Sequence, residues 1–221
     1  MHLLRLFRSL RIWVSPVERK AFFDLWSSLH GNTPVKGIVR GWLSISYVLV
    51  KPLAALKVSP HALTLLGVIA AVGTWRNAHS WIGIALLVLS LLCDGIDGSL
   101  AMVRNIQSTW GAVTDSVADR VSEIFWALAL YELGAPLIVI SIAWLAAGTQ
   151  EYVRARMGGL GAKTIEQVTI AERPVRASLL FIAMVSIQTS FDMTNRVSWM
   201  WMIMQVVSFV LVFNDGYVRL K

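Results

Sequence analysis

The chain has 221 residues, of which 56% are hydrophobic and 15% charged, and its mean hydropathy is +0.63. Soluble domains carry about 25% charged residues, so this composition excludes an ordinary soluble globule and points to a membrane protein of one domain's length. The formal charge of +7 comes from basic residues that punctuate apolar runs and form no stripe, which argues against a nucleic-acid partner and suits attraction to anionic membrane lipids.

In chain order, residues 1–35 read as an interfacial segment. Arg5, Arg8 and Arg11 recur at helical spacing among Leu3, Leu4, Leu6, Phe7 and Leu10, so a helix here lies in the headgroup plane. The stretch lacks an apolar core followed by a small-residue cleavage site and is not read as a cleaved signal. Residues 41–57 are amphipathic and contain Lys51 and Pro52, which also suits the interface. Apolar runs about the length of a bilayer crossing follow at residues 60–75, 80–103, 108–133, 135–153, 174–191 and 197–218. Cys93, inside the second run, is the one cysteine, so no disulfide forms within the chain.

With a cytoplasmic N-terminus, Lys57, Arg104, Arg154, Arg156, Lys163, Arg173, Arg176, Arg219 and Lys221 all fall on the cytoplasmic side. Only Arg76 and Arg196 fall opposite. That asymmetry obeys the positive-inside rule. The expected fold is therefore an all-α integral membrane protein with six transmembrane helices and an N-terminal interfacial amphipathic helix. Residues 1–57 form the interfacial part and residues 58–221 the membrane domain. The expected location is the cell membrane, with both termini and the active site cytoplasmic.

The chemistry gathers between Asp94 and Asp119. Asp94 and Asp97 are three residues apart, Asp115 and Asp119 four, and either spacing puts a pair on one helical face. The pairs sit near adjacent ends of the second and third spans, where a hairpin brings all four together. Each charge at mid-bilayer costs at least about 2.5–3.5 kcal/mol, and four acids repel one another unless a cation compensates. Oxygen-only ligands suit hard divalent ions, Mg²⁺ or Mn²⁺ first, and two such ions about 4 Å apart can act on a phosphoryl group. Gly95, Gly98 and Gly111 leave the backbone open to a nucleotide or pyrophosphate. Intramembrane acids also line cation or proton pathways. Residues 81–89 and 124–130, on the far halves of the same spans, carry no charge, which disfavours a transporter.

The run Asp94-x-x-Asp97-Gly98-x-x-Ala101, followed after nine residues by Gly111-x-x-x-Asp115-x-x-x-Asp119, resembles the signature of the CDP-alcohol phosphotransferase family. Every acid and glycine of that signature is present at its spacing. Met102 stands where the pattern has arginine, with Arg104 two residues on. The segment 58–64 is similar to the family's entry into its first transmembrane helix. Residues 152–156 and 172–176 resemble segments of the actinobacterial phosphatidylinositol phosphate synthases, as does the run 116–120 around Asp119.

The resemblance implies a metal-dependent phosphatidyltransferase. Asp94, Asp97, Asp115 and Asp119 ligate two Mg²⁺ or Mn²⁺ ions, and Asp119 is also the general base. Asp94, Thr64, Gly98, Ala101, Arg104 and Gly111 bind the CDP-linked donor, CDP-diacylglycerol. Arg154, Arg156, Arg173 and Arg176 bind the phosphate of a soluble phosphorylated alcohol, because guanidinium forks grip phosphate with paired hydrogen bonds. Inositol phosphate is the favoured acceptor, with glycerol 3-phosphate or phosphatidylglycerol as alternatives. Glu151 departs from the small serine expected beside the acceptor phosphate. The resemblance also implies a homodimer.

Overall fold

The computed structural model describes residues 18–29, 31–161 and 168–221. The arginines of the expected interfacial helix, Arg5, Arg8 and Arg11, lie outside the described residues, as does Lys163. Eight helices are described: α1 (Arg19–Leu29), α2 (Gly37–Ala55), α3 (Pro60–Arg76), α4 (Trp81–Val103), α5 (Thr109–Glu132), α6 (Leu137–Gly159), α7 (Arg173–Gln188) and α8 (Thr194–Leu220). No strand occurs among the described residues.

The apolar runs set the helices, but the capacity to cross a bilayer is uneven. A core of about 30 Å needs about 20 residues at a 1.5 Å rise. Among the described residues only α4, with 23 residues, and α8, with 27, are long and apolar enough singly. The pair α2 and α3 qualifies together, and the chain turns by 115° between them. α3 alone has 17 residues and α7 has 16. α5 is long enough but carries Asp115, Asp119, Arg120 and Glu123 within its run.

Contacts divide the chain into two compact units. One comprises the residues up to Thr64 with Cys93–Asp115, the other Leu65–Leu92 with Ser116–Lys221.

In the first unit, the fully buried Phe22 of α1 meets Tyr47 of α2 with ring centroids 5.6 Å apart. Trp42 packs on α4 so closely that a Cβ at Gly95 would lie 2.5 Å from its ring. Gly95 therefore admits an indole, not the nucleotide expected there. α2 ends with Lys57 in the left-handed region (φ 57°) and Val58 donating its N–H to the Leu53 carbonyl. α4 ends in the same style, with Asn105 at φ 51° and Ile106 donating to Ala101. Arg104 joins the two turns by donating to the carbonyls of Val58 at 2.5 Å and Lys57 at 3.3 Å. These terminal carbonyls have no helical partner, so the guanidinium satisfies them.

The second unit holds the larger core, with Trp126, Leu130, Ala143, Leu180, Met184 and Trp201 among its members. Trp201 is 2% exposed. It is thus a core residue and not the interfacial anchor that its place near a span end suggests. Trp81, Trp110 and Trp199 are exposed as anchors are. Small and polar residues make the close helix contacts, as in membrane bundles generally. Ser90 donates to the Gly67 carbonyl at 2.8 Å, and Gln205 donates to the Gln150 side-chain oxygen at 2.9 Å. Met157 meets Gly216 farther along the same two helices, so α6 and α8 run in the same direction.

Candidate active site

The acid-bearing part of the first unit is built on α4 and the start of α5. Asp97, 5% exposed, accepts the Thr64 hydroxyl at 2.5 Å on one oxygen and the Gly98 N–H at 2.5 Å on the other. Asp94 and Asp115 bring carboxylate oxygens within 4.8 Å of each other. Asp119 follows Asp115 by one turn of the unbroken helix α5, hence on the same face. Among the described residues no histidine or cysteine joins the acids, so the donor chemistry is that of a hard divalent ion, and paired carboxylate oxygens at this separation fit one.

Beside them opens a cavity of about 310 Å³, within the range of about 300–1,000 Å³ usual for ligand pockets. Thr64, Asp97, Gly98, Ala101, Gly111 and Asp115 line it. A Cβ added at Gly98 would meet nothing within 4 Å, so the bare backbone faces open space. Ser108 caps α5, its hydroxyl accepting the Gly111 N–H at 2.9 Å, and both residues line the cavity. The start of a helix presents N–H groups and positive dipole to an anion. His61, whose ring nitrogen lies 3.4 Å from the Thr114 hydroxyl, lines it as well.

The sequence reading missed Ser108 and His61. Ser108 had a signal, since a serine just before a helix with its partner three residues on is an N-cap pattern. Met102, at the position of the missing arginine, also lines the cavity, whereas Asp94 and Arg104 do not.

The basic region lies in the second unit. Glu123, fully buried, accepts Arg120 at 2.8 Å and Arg176 at 3.3 Å. Arg154 pairs with Glu172 at 2.8 Å and Glu151 at 3.1 Å, and Glu151 also lies 3.8 Å from Arg176. Arg173 pairs with Asp119 and lies over the Trp126 ring, 5.1 Å from its centroid. Four guanidiniums thus meet four carboxylates. Burial opposes ionisation of Glu172, but Arg154 and the N–H and hydroxyl of Thr169 outweigh it and hold the carboxyl at about 2. Arg154, Arg173 and Arg176 share this network, whereas the exposed Arg156 lines a different cavity, with Tyr217 and Lys221. Sequence reasoning also missed Glu123. The signal was its place in the series Asp115, Asp119, Glu123, each four residues on and so continuing one acidic face of α5.

The family model for CDP-alcohol phosphatidyltransferase matches residues 57–213. An archaetidylinositol phosphate synthase of Aeropyrum pernix is 29% identical over 167 residues, 70% of this chain and 84% of its own. A phosphatidylinositol phosphate synthase of Cutibacterium acnes is 30% identical over 159 residues, 67% of this chain and 74% of its own. Among solved structures, the phosphatidylinositol phosphate synthase of Mycobacterium tuberculosis with CDP-DAG bound shares the fold. It has a TM-score of 0.62 at 20% identity, covering 79% of this chain and 94% of that one. The same enzyme in complex with manganese and citrate gives 0.62 at 19% identity, with 78% and 88% covered.

Proposed function

The chain belongs to the CDP-alcohol phosphatidyltransferase family, and from that membership we propose that it transfers a phosphatidyl group from CDP-diacylglycerol to a phosphorylated alcohol, inositol phosphate first, releasing CMP. The observation that carries the donor half is the cavity lined by Thr64, Asp97, Gly98, Ala101, Gly111 and Asp115, which are residues of the signature and of the segment entering α3. Inositol phosphate rests on the relatives named for inositol phosphate products and on the guanidiniums of Arg154, Arg173 and Arg176.

Asp94, Asp97, Asp115 and Asp119 would hold two Mg²⁺ or Mn²⁺ ions, which would supply positive charge to offset that of phosphate groups. Gly98 and Ala101 leave room for the cytidine end of the donor, and the Ser108-capped start of α5 faces its phosphates. Thr64 keeps Asp97 oriented. Asp119 takes the proton of the acceptor hydroxyl as that oxygen bonds to the lipid-linked phosphorus and the bond to CMP breaks. For this, Asp119 exchanges Arg173, which then turns to the acceptor phosphate. Arg154 and Arg176 complete the phosphate grip, with Glu151 and Glu172 orienting them.

A second acceptor class, a lipid such as phosphatidylglycerol, is favoured by one observation. Each of the four guanidiniums already has a carboxylate partner, which leaves less net charge for a soluble phosphate.

In this reading the helices cross the cell membrane six times with both termini cytoplasmic, residues 1–57 lie at the interface and 58–221 form the membrane domain, and the enzyme is a homodimer. The basic residues between spans support the orientation, and the common direction of α6 and α8, the fourth and sixth spans, suits alternating crossings.

The test is CMP release by purified protein with CDP-diacylglycerol and Mg²⁺ or Mn²⁺. Inositol phosphate, glycerol 3-phosphate or phosphatidylglycerol is supplied separately, with Asp119→Asn as control. Release dependent on inositol phosphate and reduced about 10²- to 10⁴-fold in the variant supports the reading. Release with phosphatidylglycerol alone moves the acceptor to the lipid class, and wild-type turnover in the variant removes Asp119 from its role.

A further inference from the structure

The C-terminal ends of α6 and α8 enclose a groove of about 490 Å³, separate from the donor cavity. Tyr152 and Arg156 line it from α6, and Phe213, Tyr217, Leu220 and Lys221 from α8. The floor is tight, because a Cβ at Gly216 would lie 2.4 Å from the Met157 sulfur. The walls are apolar and open, with Phe213 57% exposed and Leu220 51%. On α8, a helix long and apolar enough to span a bilayer, such exposure faces hydrocarbon.

The charged side chains on its rim, Arg156 and Lys221, are both basic. Arg156 follows Arg154 by two residues, about 200° around the helix, and so points away from the carboxylates that hold Arg154. No ion pair holds Arg156 among the described residues. The Lys221 ammonium lies over the Tyr217 ring, 5.5 Å from its centroid, a contact that leaves its hydrogen-bond donors unspent. Among the described residues no acidic side chain lines the groove, and the acid nearest in sequence, Asp215, is taken by Arg219 at 2.7 Å.

We propose that this groove holds one anionic phospholipid of the surrounding membrane, its phosphate between Arg156 and Lys221 and an acyl chain along Phe213 and Leu220. Charge complementarity selects an anion, and the apolar wall beneath the cations selects a lipid over a soluble phosphate. Tyr152 and Tyr217 have the apolar body and polar tip that settle at headgroup level. None of the lining residues belongs to the CDP signature, so the bound lipid is a resident of the protein and not its donor.

The experiment compares wild type with the Arg156→Gln, Lys221→Gln double variant and with Arg156→Lys. Each is purified, exchanged into phosphatidylglycerol or phosphatidylcholine, and its retained lipids are counted by native mass spectrometry. A thermal unfolding midpoint equal to that of wild type shows that each variant is folded. Wild type and Arg156→Lys should keep one phosphatidylglycerol that the double variant holds roughly tenfold or more weakly, with no difference in phosphatidylcholine. Equal retention in all three overturns the proposal. Inorganic phosphate that takes the place of the lipid on wild type overturns the lipid assignment. A double variant that loses a subunit contact while keeping its lipid assigns the groove to a second copy, which also overturns it.

Discussion

The acids of α4 and α5 and the arginines of α6 and α7 are both charge clusters among apolar helices, yet they are organised in opposite ways. Asp94 and Asp115 bring like charges within 4.8 Å beside an open cavity. Around Glu123 and Arg154, every guanidinium meets a carboxylate. Like charges held together oppose folding and are tolerated for what they bind, whereas a closed network of opposite charges sustains itself. Breaking the second should therefore cost stability first, and breaking the first should cost function first.

The largest effect expected is at Glu123. Glu123→Gln leaves Arg176, 3% exposed, without its main counter-charge, and unpairing a buried ion costs about 3–5 kcal/mol. The unfolding midpoint in detergent should fall accordingly. A midpoint equal to wild type's would show that the arginine network is as dispensable to folding as the acids, and the contrast would fail. Next is Asp94→Asn, which removes one of two facing carboxylates. Metal-dependent CMP release should fall roughly a hundredfold or more, with an unfolding midpoint unchanged or raised because a repulsion has gone. A lowered midpoint at preserved turnover would make Asp94 structural.

Smaller again is Thr64→Val. A hydrogen bond to a charged group is worth about 1.5–3 kcal/mol, and the Thr64 hydroxyl meets buried Asp97 at 2.5 Å. Losing it should weaken binding of the CDP-linked donor by about tenfold, measured by titration, and leave unfolding nearly unchanged. An unchanged donor affinity would detach Asp97 from the cavity's function.

The two clusters were also unequally legible in sequence. The acids stood out in the sequence because three- and four-residue spacings at adjacent helix ends are geometry as much as pattern. Helix limits were close, from the expected 80–103 against Trp81–Val103 to 108–133 against Thr109–Glu132. The arginines stood out as a group, but the partner of each was not legible. The fourth apolar run ends at Val153, but α6 continues to Gly159, and that extra turn and a half puts Arg154 and Arg156 on different faces. Arg104 was assigned to the donor because it stands near the missing motif arginine. Its partners are backbone carbonyls at a turn, which no side-chain pattern announces. Gly95 looked like a nucleotide approach and is a seat for Trp42, a contact fifty-odd residues distant in the chain. The span count was hardest, since length and hydropathy mark α4 and α8 while charges of the site itself dilute α5.

The smallest effect tests the arginine network by pH. The Glu172 carboxyl is held at about 2, below its ordinary range near 4.3, because Arg154 and Thr169 favour its charged form against the opposing effect of burial. A carboxyl whose native pKa is depressed contributes stability that is complete above its unfolded pKa and is lost as the pH falls toward the native one. Glu172→Gln should therefore lower the unfolding midpoint at pH 7 and equally at pH 6. The gap from wild type should narrow only as the pH drops from about 4.5 toward 2. Wild type and variant are best compared at each pH, because other carboxylates also titrate there and their contribution cancels in the difference. A gap that does not narrow between about pH 4.5 and 2 would mean that Glu172 is not held by Arg154. The carboxylate would then be free to meet an incoming acceptor, and the network would be less closed than its hydrogen bonds imply.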